Sequence, residues 1–418
     1  MSFLNLGLSA PLLRAVAARD YATATPVQVQ AIPAVLRSGD VWASAQTGSG
    51  KTAAFVLPIL QMISARPPEK PRRIRALILV PTRELAAQIG ESIHNYGRFL
   101  PERLKTDVLF GGVSLNPQMM ALRGGTDIVV ATPGRLLDLV ERNALKLSSV
   151  ETLVLDEADR LFNLGFAAEL ARILALLPAR RQNLFFSATF PPAVLALAEN
   201  LLHDPVRIEV APTSATPGVA DILQRAIECD VPRRTQLLRH LIEENQWTRT
   251  LVFVATKYHT SHVADKLRKA GLRAEPFHGE LAQGTRTANL AAFKAGEIQV
   301  LVATDVAARG IDIAELPAVV NYDLPRSPTD YTHRIGRTGR AGETGVAVSF
   351  VTAENDAHFR LIERRYGLEI KREQVADFEP QELIVPPADP TGGIKGKRPN
   401  KKDKARAAAA RANAQRSR

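Results

Sequence analysis

Short runs of apolar and β-branched residues alternate with stretches of helical periodicity along most of this chain, and the alternation runs through two cycles. Strands separated by helical segments pair in parallel, and a parallel sheet needs helices on both faces, so the pattern restricts the fold to α/β. The first cycle predicts strands at Val41–Ala45, Ala76–Val80, Thr106–Phe110, Asp127–Ala131, Thr152–Leu155 and Asn183–Phe186. The second predicts them at Leu223–Glu228, Thr250–Val254, Arg273–Phe277, Gln299–Ala303, Ala318–Tyr322 and Val346–Phe350. Between the cycles, Ala211-Pro-Thr-Ser-Ala-Thr-Pro-Gly218 has the turn formers and small polar residues of a linker. The chain therefore divides into a domain at 1–210, a short linker at 211–221, a second domain at 222–370 and an extension at 371–418, where the periodicity fades. A length of 418 residues suits two cores better than one.

Charge is placed unevenly. Thr391 to Arg418 holds ten Lys/Arg and one Asp, so +9 of the formal +11 belongs to the tail, and the rest of the chain is nearly neutral. A segment so poor in large apolar residues is expected to stay disordered, and its charge suits phosphates; a merely solubilising tail is the alternative. No apolar run approaches the roughly 18 residues that span a bilayer, and Met1 to Asp20 lacks a basic region followed by an apolar block. A soluble protein without membrane partners is expected. The single cysteine, Cys229, excludes an internal disulfide, and no Cys/His cluster has zinc spacing, which fits a reducing cytoplasm.

Two strings carry chemistry. Ala45-Gln-Thr-Gly-Ser-Gly-Lys-Thr52 follows an apolar run and opens a helical pattern, the setting of a phosphate-binding loop. Gly48 and Gly50 let backbone N–H groups approach phosphates, Lys51 reaches the β and γ phosphates, and the Thr52 hydroxyl suits Mg²⁺; Gln46, Thr47 and Ser49 complete the loop. The first position is Ala45 where the general pattern has Gly. About a hundred residues on, Asp156-Glu-Ala-Asp159 follows the strand Thr152–Leu155, which puts acids at a strand's carboxyl end. There Asp156 suits the Mg²⁺ shell, and Glu157 suits a general base that orients the attacking water.

Together these strings resemble the DEAD-box family of ATP-dependent RNA helicases. The resemblance covers roughly residues 3–370. It implies two RecA-like domains that bind ATP and Mg²⁺, act on RNA, and separate short duplexes locally. Phe3 with Gly7-Leu8, and Tyr21 with Thr25-Pro-Val-Gln28, resemble the family's adenine-reading segment; Gln28 would bond the adenine edge and Tyr21 would stack nearby. Asp20 stands where many members carry Gly, and Ala24 replaces a common Pro.

Ser187-Ala-Thr189 matches the motif that couples hydrolysis to strand separation, with its hydroxyls beside Asp159. Tyr331-Thr-His-Arg-Ile-Gly-Arg-Thr-Gly-Arg340 matches the motif supplying arginine fingers, Arg337 and Arg340; if helical, this stretch projects both from one face. The resemblance further implies that His333 pairs with Asp159, that Asp305 and Asp312 help join the domains with Asp312 near the ribose, and that Arg309 stabilises the closed state. ATP would then occupy a site completed only when the domains meet.

For RNA, Pro81-Thr82-Arg83, Gly111-Gly112 and Thr132-Pro133-Gly134-Arg135 all follow strand ends and so line one surface. Small hydroxyls, glycine amides and arginines suit sequence-independent backbone contacts. From the second domain the resemblance adds Thr256, Gly279 and Arg286 within Phe277–Arg286, and Thr304. The match from Phe110 through Gln118 to Ala131–Leu139 is similar to the bacterial RhlE-like branch, for which ribosomal precursors or RNA-decay proteins are natural partners. A DNA-directed helicase and a noncatalytic RNA scaffold acting through the tail are the competing readings.

Overall fold

The computed structural model describes residues 1–45, 49–66, 70–210, 222–308, 311, 313, 316–339 and 345–381. These form two compact units, the first holding those at 1–210 with 308 and 311, the second those at 222–307, 313, 316–339 and 345–381. The expected linker and the basic tail lie outside the described residues.

The first unit holds β1 (Val41–Ser44), β2 (Ala76–Leu79), β3 (Thr106–Leu109), β4 (Ile128–Ala131), β5 (Thr152–Leu155), β6 (Gln182–Ser187) and β7 (Val206–Glu209) in one parallel sheet, ordered β3-β4-β2-β5-β6-β1-β7. β2 and β4 are apolar throughout because both faces are covered. Along β2, Ala76 and Ile78 join the core on one face while Leu77 and Leu79 join the other. The second unit holds β8 (Ile222–Glu228), β9 (Thr250–Phe253), β10 (Ala274–Phe277), β11 (Val300–Ala303), β12 (Ala318–Asn321), β13 (Gly345–Val351) and β14 (Arg372–Glu373), ordered β10-β11-β9-β12-β13-β8-β14. Strand for strand this is the order of the first sheet, so the units share the RecA-like plan.

Two edge strands escape the sequence reading. β7 pairs with β1 but exposes three of its four residues, and β14 is two residues long and pairs with β8. Neither has an apolar run to announce it. The second sheet therefore continues beyond residue 370, and Val375 and Phe378 pack on its core. Among the described residues no helix is long and apolar enough to cross a membrane.

Parallel pairing sends every strand of a unit's sheet in one direction, so all loops leaving carboxyl ends emerge along one edge. That edge carries the motif residues.

Candidate nucleotide and RNA sites

β1 delivers the chain to Ala45, and the helix Lys51–Ser64 begins immediately after Gly50. Gly50 has φ +90°, and a Cβ there would lie 2.4 Å from Gln28 Nε2, so both the backbone and the crowding require glycine. Gln46, Thr47 and Gly48 lie outside the described residues. The Lys51 side chain is buried and its ammonium donates to the Ala45 carbonyl at 2.9 Å, folding back across the loop. Thr52 is half-buried one residue on, and Ser49 is half-buried in the loop.

Asp156 leaves β5 only 2% exposed, its Oδ1 accepting from the Glu157 amide at 2.9 Å. Burial pushes its carboxyl up to about 6, against the pull of Lys51, and the Glu157 charge adds to the rise. The helix start after β1 and the loop after β5 thus gather a cation and two acids away from water. Glu157 is held in the left-handed region at φ +52°, a conformation that costs a non-glycine residue about 1 kcal/mol or more. Arg160 fixes it, Nη1 donating to Glu157 Oε2 at 2.9 Å with both side chains buried. Among the described residues no set of three His, Cys, Asp or Glu forms a metal cluster.

Gln28 caps its own helix, Pro26–Leu36: Oε1 accepts from Thr25 N at 2.9 Å, and Nε2 donates to Gly50 O at 3.1 Å. The amide so ties this helix start to the Gly50 turn, with one N–H and one lone pair left over. Asp20 adopts φ +56°, the left-handed conformation that glycine takes freely and that Asp tolerates better than most residues, which accounts for its standing where relatives carry Gly. Tyr21 is exposed.

Asp159, buried, meets both coupling hydroxyls. Its amide donates to Ser187 Oγ at 3.2 Å, its Oδ2 accepts from Thr189 Oγ1 at 2.7 Å, and Ser187 Oγ donates to Thr189 O at 2.7 Å. A shift of the acidic loop is therefore felt at the end of β6.

On the same edge Thr82 caps the helix Arg83–Gly97, accepting from Leu85 N at 3.3 Å. Gly112 has φ +75°, and a Cβ there would sit 2.1 Å from Arg83 Nη2, so the guanidinium rests on the glycine. Thr132 precedes the helix Pro133–Glu141, and at Gly111 and Gly134 the space a side chain would take is open. Arg135, expected to face RNA, is instead buried with Nη2 on Val113 O at 2.9 Å, where it supports the glycine loop from behind.

In the second unit Thr256 caps the helix Lys257–Lys269 as Thr82 does its counterpart, accepting from His259 N at 3.2 Å. Thr304 leaves β11 with its amide on Phe277 O at 3.3 Å, and Gly279 faces open space. Arg286 is buried with its guanidinium 5.3 Å from the centre of the Phe277 ring, so it packs rather than presents itself. The arginine motif is not one continuous helix: Pro328–Ile335 is helical, Gly336 closes it, and Gly339 takes φ +65°. Arg337 therefore follows in a turn and is buried, while His333 lies half-buried in the last helical turn. Arg309, Asp312 and Arg340 lie outside the described residues.

The DEAD/DEAH box helicase model matches residues 25–197 and the Helicase conserved C-terminal domain model matches residues 233–342. The chain is 40% identical over 364 residues to the DEAD-box ATP-dependent RNA helicase CshA of Bacillus subtilis, covering 87% of this chain and 72% of that protein. This chain belongs to the DEAD-box ATP-dependent RNA helicases. Its structure is similar to S. cerevisiae Dbp5 bound to RNA and ADP BeF3, with TM-score 0.79, 32% identity, and 90% and 96% of the two chains covered. It is also similar to Mss116p bound to ssRNA and AMP-PNP, with TM-score 0.78, 30% identity, and 88% and 77% covered. Members of the family are enzymes that hydrolyse ATP.

Two arginines of this helicase were invisible to sequence reasoning. Arg160 anchors Glu157, and Arg334 is almost fully buried beneath the second unit's motif loops. Arg334 Nε and Nη2 grip Asp305 Oδ1 and Oδ2 at 2.6 and 2.7 Å, while Nη1 reaches Asn321 Oδ1 at 3.0 Å and Asp323 O at 2.6 Å. Asp305, expected to join the domains, is thus engaged within its own unit. The only signal for Arg334 was its place between His333 and Arg337, which does not tell a buried clamp from a surface cation.

Proposed function

We propose that this chain binds ATP and single-stranded RNA along the carboxyl edges of its two sheets and hydrolyses ATP to separate short RNA duplexes or remodel ribonucleoprotein. One observation carries the reading: Lys51, Asp156 and Glu157 converge beside the left-handed Gly50 turn, on the edge from which Thr82, Gly111, Gly112, Thr132 and Gly134 emerge.

In this reading the loop amides from Gln46 to Thr52 and the Lys51 ammonium bind phosphate, while Gln28 and Tyr21 hold the base. Asp156 and Thr52 supply oxygens for Mg²⁺, which when bound offsets phosphate charge. Glu157, aimed by Arg160, orients the attacking water and accepts its proton. Arg337 and Arg340 serve hydrolysis. Asp159, Ser187, Thr189, His333, Asp305, Arg309 and Asp312 couple hydrolysis to RNA. Thr82, Arg83, Gly111, Gly112, Thr132, Pro133, Gly134, Thr256, Gly279 and Thr304 contact the RNA backbone, with Arg135 and Arg286 supporting their loops.

The proposed domains are 1–210 and, with its end moved from 370 to take in β14 and the residues packed behind it, 222–381, with the remainder to 418 as extension. The narrower RhlE-like placement rests on the run from Phe110 to Leu139; a tree of full-length chains that grouped this one with the CshA proteins would overturn it. Cytoplasmic ribosomal precursors or RNA-decay proteins are the proposed partners, to be sought by co-purification from nuclease-treated and untreated lysate.

The direct test is steady-state ATP hydrolysis without nucleic acid, with single-stranded RNA and with matched DNA, with Glu157→Gln in parallel. RNA-specific stimulation that the variant lacks is expected. Equal turnover by variant and wild type would refute the reading.

A further inference from the structure

The motif-bearing edge of the second unit is not its only built feature. At the opposite end of the sheet, where strands begin, lies an open cleft of about 670 Å³. Its lining comes from three connections: Gln246, Thr248 and Arg249 before β9, Arg273 before β10, and Lys294 with Gly296 before β11. The order β10-β11-β9 makes these neighbouring strands, so their first residues form a row. Two inter-strand spacings put Arg273 and Arg249 about 10 Å apart along it.

Charge in this cleft is one-sided. The lining holds three cations and one carboxylate, Glu243, and that carboxylate is already taken by Arg239, whose Nε lies 2.7 Å from Oε1. Among the described residues neither the Arg249 nor the Arg273 side chain has a hydrogen-bond or ion-pair partner, although Arg side chains elsewhere in the unit are regularly paired. Trp247 reaches the cleft but is buried and offers no face on which a base could stack. The site is thus fitted to phosphate and not to a nucleobase: two guanidinium forks, an ammonium, a hydroxyl and an amide.

We propose that this cleft is a second phosphate-binding track, which holds the backbone of an RNA already engaged at the motif edge and so favours RNAs long enough to reach both ends of the unit. A row of cations about 10 Å long suits successive phosphates of one strand better than a single compact anion. The inference rests on the RNA-binding reading above and adds a contact that no motif supplies.

The test uses the full chain and the double variant Arg249→Gln with Arg273→Gln, the first half-buried and the second exposed, neither part of the apolar core; circular dichroism and Tm verify folding. Affinity is measured for a short single-stranded RNA and for the same RNA with a long single-stranded extension, across a salt series. The basic tail is present in both proteins and cancels. The expected result is unchanged affinity and unchanged ATPase stimulation with the short RNA, but about ten-fold weaker binding of the extended RNA and a salt slope reduced by about two. Equal affinity of both proteins for the extended RNA overturns the track, including the case in which the cleft serves a free phosphorylated small molecule. Equal weakening for short and extended RNA overturns it too, since length would not matter. Failure of the short RNA to stimulate the wild type would instead count against the underlying function.

Discussion

Asp156 shows what the nucleotide site costs. Its buried carboxyl is pushed up to about 6, above the ~3.9 of an unfolded chain, so the folded state holds a proton more tightly than the unfolded one. The sign follows: between those values folding gains as pH falls, and at neutral pH the ionised carboxylate is a penalty on the order of 3 kcal/mol. Asp156→Asn is therefore expected to raise the Tm of the metal-free protein by several degrees at pH 7.5, with the gain shrinking as pH drops through 6, while ATP hydrolysis is lost. A scan in chelator at both pH values checks it, and an unchanged or lower Tm at pH 7.5 would defeat the account. Arg334 tests the opposite case, a buried charge that is fully paired. Arg334→Ala strands Asp305 and should cost about 3–5 kcal/mol. Arg334→Lys keeps the charge but not the two-pronged grip, and should recover only part of that in denaturant melts. The difference between these residues also explains what was legible. The juxtaposition of Lys51, Asp156 and Glu157 could be read because each stands at a fixed spacing after an apolar run. The burial of Arg135 and Arg286, and the anchoring by Arg160 and Arg334, could not be read, because a sequence does not distinguish a guanidinium facing solvent from one folded beneath a loop.

Among the elements, the strands with apolar runs were legible and the edges were not. β14 is the instructive case, since its place is secured by side-chain pairing rather than by hydrophobicity. Arg372 donates to Asp356 Oδ1 at 3.0 Å and to Glu363 Oε1 and Oε2 at 2.8 Å, and it lies 4.9 Å from the centre of the Phe359 ring, stapling β14 to the helix Asp356–Tyr366. Asp356 is 2% exposed and depends on that guanidinium and on Arg360. Ending the chain at residue 370 should therefore destabilise the second unit by about 3 kcal/mol, as should Arg372→Ala, because each leaves buried carboxylates short of a partner. Ending it at residue 381 should leave stability unchanged. Urea titrations of the three proteins decide this, and equal midpoints for the chains ending at 370 and 381 would return β14 to the extension. The arginine motif carries a related lesson: its spacing permits a helix, but Gly336 and Gly339 stop one.

For the whole molecule, charge and fold have separate addresses. The two sheets repeat one strand order, and their motif loops supply fixed hydroxyls, amides and a few arginines, whereas +9 of the formal +11 sits in residues 391–418. Fixed contacts of the first kind decide which RNA geometry is accepted; a run of ten Lys/Arg with almost no apolar residue contributes through counterion release, which scales with the number of phosphates met. Removing residues 391–418 should consequently weaken RNA binding most at low salt and flatten the dependence of log affinity on log salt by several units. The RNA concentration that half-stimulates ATP hydrolysis should rise, and the maximal stimulated rate should stay, because Lys51, Asp156 and Glu157 are untouched. Fluorescence anisotropy over a salt series, alongside the ATPase titration, separates the two terms. A truncated chain whose maximal rate falls to the RNA-free level would mean that the tail takes part in coupling RNA to hydrolysis, and an unchanged salt slope would mean that its charge never meets the RNA.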